Sequence, residues 1–305
     1  MSASREKIKG ADAPAGTIMN ETEFIAALRA LPLHSGARGL EDDCAVLEIG
    51  GETLILNHDA IAQGTHFKDD ADLADVAWKL LAVNLSDLAA KGALPIGVLL
   101  QHSLGSDDER FLQGLLEGLK QYGVALLGGD TIACKGARSF GLTAIGKATH
   151  TPVPSRGGAK AGDAIYVTGT IGQAMLGFEG HAEHAGAFHR PQPRLAEGQK
   201  LAPHVSAMMD VSDGLLLDAY RMASASKVTF QLVSESIPVA NADRRDECIR
   251  WGDDYELLFT APASAALPVP ATRIGLVSQS DAADTAALLL GGESLPPKNL
   301  GYQHG

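Results

Sequence analysis

Apolar and polar positions alternate along this chain in two rhythms, one helical and one extended. The clearest helical stretch runs from Leu73 to Lys91, with no Gly or Pro until Gly92, and Pro95 keeps it closed. Its spacing predicts one long helix on which Leu80, Asn84, Asp87 and Lys91 share a stripe at i, i+3 and i+4. Two readings of that stripe compete. One is an exposed Asp87–Lys91 pair contributing a few tenths of a kcal/mol, on the order of 0.3. The other is a carboxylate and an amide held out together toward a ligand.

Short extended runs surround this helix. A first helix is predicted from Glu21 to Leu31 and is stopped by Pro32. A strand follows at Cys44–Ile49, and Gly50-Gly51 turns it back into Thr53–Asn57. That second strand is expected to end in Asn57-His58-Asp59 and to give way to a loop holding His66. Beyond the long helix come a strand at Ile96–Leu100, a helix at Asp107–Tyr122, and strands at Val124–Leu127 and Phe140–Ala148. This order predicts an α+β domain over a mostly antiparallel sheet, spanning residues 19–148, behind a disordered leader at 1–18. Residues 149–158, rich in Pro and Gly, read as a linker.

From 159 to 305 the pattern predicts a second α/β unit of similar size. Its strands are expected at Ala164–Thr168, Val228–Val233, Tyr255–Thr260, Arg273–Val277 and Ala286–Leu290. Its helices are expected at Gly172–Gly180, Arg194–Leu201 and Leu215–Ser226. No fixed-period repeat is present, and a length of 305 residues suits about two domains with separate cores.

Charge narrows the function. A net charge of −12 argues against a nucleic-acid partner or an anionic membrane surface, yet leaves room for phosphate ligands carried by divalent cations. Cys44, Cys134 and Cys248 are far apart and form no Cys-x-x-Cys, so neither a disulfide framework nor a zinc site is expected. With no apolar signal core or membrane-length run, the expected location is a reducing cytoplasm.

Most carboxylates that stand out lie where a strand meets a turn: Glu41-Asp42-Asp43, Asp59, Asp130, Asp210 with Asp213, and Asp253-Asp254; Asp87 sits on the long helix. Singly, each has an ordinary explanation as a turn residue or helix cap. As a set, carboxylates offered by different loops suit Mg²⁺ ions gripping a polyphosphate. No Walker A sequence exists; Gly128-Gly129-Asp130 and Gly157-Gly158 are the glycine segments able to bring backbone N–H groups close to phosphate. His181, His184 and His189 have no zinc spacing and read as solvated, and no nucleophile elbow is present.

Six segments then align in order with one known family. Asp42-Asp43-Cys44-Ala45, Asp59 with His66-Phe67, Asn84 through Ala93, Gly128 through Thr131, Asp210 through Leu215, and Gly252 through Leu257 resemble the thiamine-monophosphate kinases. Their superfamily is that of aminoimidazole ribonucleotide synthetase, the PurM-like fold. The resemblance covers roughly residues 21–305 and implies transfer of the γ-phosphoryl of ATP to thiamine monophosphate, giving thiamine diphosphate. It implies Mg²⁺ held by Asp43, Asp59, Asp87, Asp130, Asp210 and Asp213, with His58 beside Asp59 as a further candidate. It also implies ATP contacts from Gly129, Asp130, Arg156 and Ser212, and thiamine phosphate contacts from His66, Asp253 and Tyr302. Asp43, Asp87, Asp130 and Asp213 are the catalytic candidates, and a homodimer pairing its N-terminal sheets into a barrel is expected. Five positions depart from the family pattern. Asn57-His58 replace Ser-Thr, which also touch metal there, Glu41 replaces Gly, Asp253 replaces Glu, and Lys91, where Met is usual, competes for Asp87. Another ATP-dependent synthetase of the superfamily, or a non-catalytic nucleotide- or metal-binding paralogue, are the rival readings.

Overall fold

Asn20 opens the described chain by capping α1 (Glu21–Arg29) in a reciprocal capping box with Glu23. The structure, a computed structural model, describes residues 20–133, 135–280 and 288–302; the expected leader at 1–18 therefore lies outside the described residues. Strands β1 (Ala45–Ile49) and β2 (Glu52–Ala62) form the predicted hairpin, with Gly50 and Gly51 both at positive φ as a two-residue turn requires. Helix α2 (Leu73–Ala90), capped by Asp72, leads through β3 (Ala93–Leu104), α3 (Asp108–Tyr122), β4 (Ala125–Ala133) and β5 (Ser139–Ala148). The five strands make one sheet in the order β1-β2-β5-β3-β4, antiparallel except where β4 runs parallel to β3.

The second half contributes β6 (Asp163–Val167), α4 (Gln173–Phe178), α5 (Ala185–His189), α6 (Leu195–Leu201) and β7 (Ala207–Asp210). It continues with α7 (Leu215–Ser226), β8 (Val228–Leu232), α8 (Arg245–Trp251), β9 (Leu257–Pro262) and β10 (Thr272–Gln279), then β11 (Leu288–Leu290) and β12 (Glu293–Leu295). These strands form a seven-stranded sheet, β12-β11-β8-β10-β6-β9-β7, with α7 on one face packing Leu216, Ala219 and Met222 into a core with Phe230, Leu258 and Ile274.

Helix α2 belongs to both halves. Leu80, Leu81, Leu85 and Leu88 pack with Ile55, Val98, Phe140 and Leu142 of the first sheet, while Ala89 and Ala90 join Tyr166, Met208 and Phe259 of the second. Small residues are needed at that end because α6 crosses it closely. A Cβ built on Gly198 would fall 2.0 Å from the Ala89 carbonyl oxygen, so backbone meets backbone only if residue 198 is bare. Apolar contact on all sides explains why this helix shows no single wet face.

Three sequence expectations are corrected. The second strand does not stop at Asn57 but carries Asn57-His58-Asp59 within it, paired to Ala144, Thr143 and Leu142 of β5. Gly128-Gly129-Asp130-Thr131 is no turn; it lies inside β4, and a Cβ on Gly129 would sit 1.9 Å from the Leu100 carbonyl oxygen across the ladder. His181, His184 and His189 fall in or beside short helical turns around Ala182–His189, with His189 half-buried rather than fully solvated.

Candidate active site

The sequence brings two carboxylates to α2's flank and a third from the other half. Asp43 precedes β1, Asp87 faces it from α2, and Asp210 ends β7; one ligand oxygen of each lies within 4.8 Å of the others. Asn84 ties α2 to β2: its side-chain oxygen accepts from Asn57 Nδ2 at 3.1 Å and from the Asp59 backbone N–H at 3.0 Å, and its own Nδ2 donates to the Leu80 carbonyl. Asn57 Nδ2 also donates to Asp87 Oδ2 at 3.0 Å. Asp59 is thereby set beside Asp87, close enough that its charge raises the Asp87 carboxyl. Across the domain boundary, Ser86 Oγ donates to Asp210 Oδ2 at 2.6 Å.

The electrostatics divide this cluster in two. Burial, followed by the charges of Asp59, Asp210 and Asp43, drives the Asp87 carboxyl well above the usual range. Burial and the Asp43 charge push Asp210 up to about 8, against the Ser86 hydrogen bond. Asp59 is also raised, mainly by burial. Asp43 goes the other way: burial alone would raise it, but Arg156 and Lys91 outweigh that and hold it below the usual range. Arg156 donates from Nε to Asp43 Oδ1 at 2.7 Å and also pairs through Nη2.

Lys91 departs from its expected partner. As the C-cap of α2 it is outside the regular helix, so i, i+4 spacing no longer directs its side chain toward Asp87. It is fully buried and pairs instead with Asp42 Oδ1 at 2.5 Å and with Asp43 Oδ2 at 2.5 Å, the latter as an ion pair without hydrogen-bond alignment.

A second group stands on the Asp210–Gly214 turn. Asp218, in the first turn of α7, accepts the backbone N–H groups of Ser212 and Asp213 at 3.0 and 3.1 Å, and Arg221 pairs with both Asp213 and Asp218. Burial and the Asp213 charge push the Asp218 carboxyl up to about 7, against Arg221 and Arg156. The backbone N–H of Tyr302 donates to the Asp213 carbonyl at 2.8 Å, which brings the chain's last described residue to this turn.

A third group lines a cavity of about 260 Å³ bounded by His66, Asp75, Lys79, Phe188 and His189. Lys79, buried on α2, donates to Asp253 Oδ2 at 2.7 Å, approaches the His66 carbonyl at 3.5 Å and lies 4.0 Å from the Phe188 ring centroid. Tyr255 donates its hydroxyl to the other Asp253 oxygen at 2.9 Å. Both oxygens of Asp253 are thus engaged.

Two site candidates stand apart. His58 projects between Asn57 and Asp59 to the opposite face of β2, where its Nδ1 meets Thr143 Oγ1 at 2.9 Å. Asp130 is exposed on β4, opposite Gln101 of β3, and outside the carboxylate trio. Sequence reasoning missed Lys79, Ser86, Asp218 and Arg221. A lysine and a serine inside the apolar run Trp78–Leu88, and an aspartate after Leu215-Leu216-Leu217, were the available signals.

The chain matches two family descriptions: AIR synthase related protein, N-terminal domain, over residues 41–148, and its C-terminal domain over 160–281. The thiamine-monophosphate kinase of Salmonella typhimurium is 38% identical over 274 residues, covering 79% of this chain and 84% of the relative. That of Escherichia coli K12 is 36% identical over 302 residues, covering 87% and 91%. Among solved structures, AaThiL complexed with AMPPCP and TMP matches with a TM-score of 0.83 at 25% identity, covering 95% of this chain and 100% of that one. The thiamine-monophosphate kinase from Stenotrophomonas maltophilia K279a matches with a TM-score of 0.72 at 34% identity, covering 85% and 95%.

Proposed function

This chain belongs to the thiamine-monophosphate kinase family, and from that premise we propose how its residues carry the reaction. It is a kinase that phosphorylates thiamine monophosphate at the expense of ATP. The observation that carries our reading of the site is the convergence of Asp43 and Asp87 from one half with Asp210 from the other.

The donor set fits Mg²⁺. Its members are all carboxylate oxygens, two of them are raised by burial and then by neighbouring carboxylates, and the buried Asn57 Oδ1 beside them has no hydrogen-bond partner among the described residues. Asp43, Asp59, Asp87 and Asp210 would hold the metal, with Asp213 at the rim. His58 meets Thr143 on the other face of β2 and Asp130 lies outside the trio, so our assignment does not depend on them. Bound there, Mg²⁺ would supply charge neutralisation for the approach of two phosphates.

The chain's own groups do the rest. The acceptor is a phosphate with a second pKa near ~6, largely ionised at neutral pH, so the site needs no general base. That agrees with the described residues around the trio, which include no His–carboxylate hydrogen bond. Arg156 adds positive charge beside Asp43, and Gly129, Asp130 and Ser212 remain the candidate ATP contacts. Asp218 fixes the Ser212-Asp213 backbone before any ligand arrives. His66, Asp253 and Tyr302 are assigned to thiamine phosphate; the cavity between His66, Lys79 and Phe188 supports the first of them, and Asp253 is tied to its wall through Lys79.

Homodimerisation and a cytoplasmic location complete the proposal. Leu94, Ile96, Leu99, Leu126, Leu127 and Ile132 of β3 and β4 are 38–54% exposed, an apolar patch of the kind that marks a protein interface. Cys44 and Cys248 are free thiols, and no described helix is long and apolar enough to cross a membrane. The deciding experiment is a single-turnover assay with ATP, Mg²⁺ and thiamine monophosphate. Thiamine diphosphate should form within one turnover; ATP binding without phosphoryl transfer would replace this reading with that of a non-catalytic paralogue.

A further inference from the structure

Lys91 is the least accessible cation of the site: its side chain has no solvent exposure and three oxygens surround its Nζ, two of them accepting hydrogen bonds. Asp42 Oδ1 and Asp43 Oδ2 each lie 2.5 Å from Nζ, and the Met208 carbonyl oxygen, from β7 of the other half, lies 3.3 Å away. The ammonium is therefore coordinated by oxygens from both domains, as a small bound cation would be. Its place at the C-terminal end of α2 adds the negative end of that helix's dipole.

The surroundings show what this charge offsets. Asp42 also pairs with Arg38, and Asp43 with Arg156. Asp87 and Asp210 receive only neutral donors, Asn57 and Ser86. When ionised, Asp42, Asp43, Asp59, Asp87 and Asp210 face Lys91, Arg38 and Arg156, so two negative charges remain. One divalent cation supplies that amount. Removing Lys91 raises the deficit and frees one oxygen each of Asp42 and Asp43 that now faces inward.

We propose that Lys91 is a built-in cation occupying a place on Asp42 and Asp43 that a divalent ion would otherwise take. The inference rests on the metal-binding reading above. In the nucleotide-free protein, divalent ions then collect on the Asp59, Asp87 and Asp210 side, with Asp43 as the carboxylate shared between that side and Lys91, and Asp42 is held at the domain boundary without metal.

The test counts ions rather than turnover. Mn²⁺ alone is titrated into nucleotide-free protein, and free Mn²⁺ is read by solution electron paramagnetic resonance. Lys91→Met, which keeps the apolar stem, should bind one more Mn²⁺ per chain than the wild type. Its melting temperature should fall in chelator and recover with Mn²⁺ by more than the wild type gains. Lys91→Gln keeps N–H donors while removing the charge, and carries the same expectation if Lys91→Met does not fold. The double variant Asp42→Asn with Lys91→Met should return to the wild-type count. Equal counts in wild type and Lys91 variants would overturn the proposal, while a wild type that binds no Mn²⁺ would instead sink the metal reading beneath it.

Discussion

Replacing Lys79 with Met removes the ammonium that joins α2 to the Asp253 turn while leaving most of the side chain in place. The wild-type pair is short, 2.7 Å, and its lysine side chain is only 4% exposed, whereas Asp253 keeps 28%. Breaking a fully buried pair costs about 3–5 kcal/mol because the surviving charge is stranded. Here the surviving carboxylate retains some water and the Tyr255 hydroxyl, so the loss should be smaller, about 2 kcal/mol. Asp253 and Tyr255 both sit at positive φ, at 58° and 52°, held by backbone bonds to Ser212 and Val211. With Lys79 gone, the carboxylate should turn within that frame rather than unfold it. If Asp253 contacts the acceptor, an equal loss of binding corresponds to about a 30-fold drop in kcat/KM for thiamine monophosphate. Most of it should appear in KM, with the KM for ATP little changed. Steady-state kinetics with each substrate varied, alongside thermal melts, would measure both. A lowered melting temperature with unchanged kcat/KM would show that Lys79 only braces the fold and that the Asp253 orientation does not govern acceptor binding.

Asp213→Asn should lower turnover by orders of magnitude while the fold is largely retained, since Asp218 still holds the turn's N–H groups; unchanged kinetics would take Asp213 out of the site. In chelator, the protein should lose stability as pH rises from about 4 to about 8. Asp59, Asp87, Asp210 (about 8) and Asp218 (about 7) have folded-state pKa values above their reference of 3.8, so their contribution is present while they are protonated and disappears on ionisation; Asp43, shifted downward, acts only below that window. Mg²⁺ should consequently raise the melting temperature more at pH 8 than at pH 6, and an equal rise at both would contradict that coupling. Leu126→Asp, at a position 50% exposed on β4, should leave the subunit folded but convert a dimer to a monomer in light scattering; an unaltered mass would move the interface elsewhere.

What the sequence disclosed depended on how local the cause was. Helices α2 and α3 and the β1–β2 hairpin are set by periodicity, caps and a Gly-Gly turn, all readable within a few residues. The interior of β2 was not, because Asn57-His58-Asp59 are strand only through pairing with β5, more than 80 residues away in the chain. Gly128-Gly129 misled for a similar reason. Read locally, a glycine pair is a turn; in the sheet, Gly129 is required because the Leu100 carbonyl passes where a side chain would be.

The site divides along the same line. Every carboxylate of the trio was visible, since an aspartate at a strand end or on an apolar helix stands out by itself. The counter-charges that α2 supplies around the site were not, because each lies far off in sequence from the carboxylate it meets: Lys91 is 49 residues from Asp42, and Lys79 is 174 from Asp253. Helix α2 explains why those particular lysines matter. A helix buried on all sides has no solvent in which to place a polar side chain, so each one it carries must be met by a partner. Lys79 meets Asp253, Asn84 meets Asn57 and Asp59, Ser86 meets Asp210, and Lys91 meets Asp42 and Asp43. Three of those four reach segments outside the hairpin that α2 covers, and all three touch the other half of the chain, Lys91 through the Met208 carbonyl. Polar residues in an apolar helix therefore mark where separate segments are drawn together, and Asp87, with only one neutral donor and a neighbouring carboxyl, is the member whose charge the protein itself leaves unanswered.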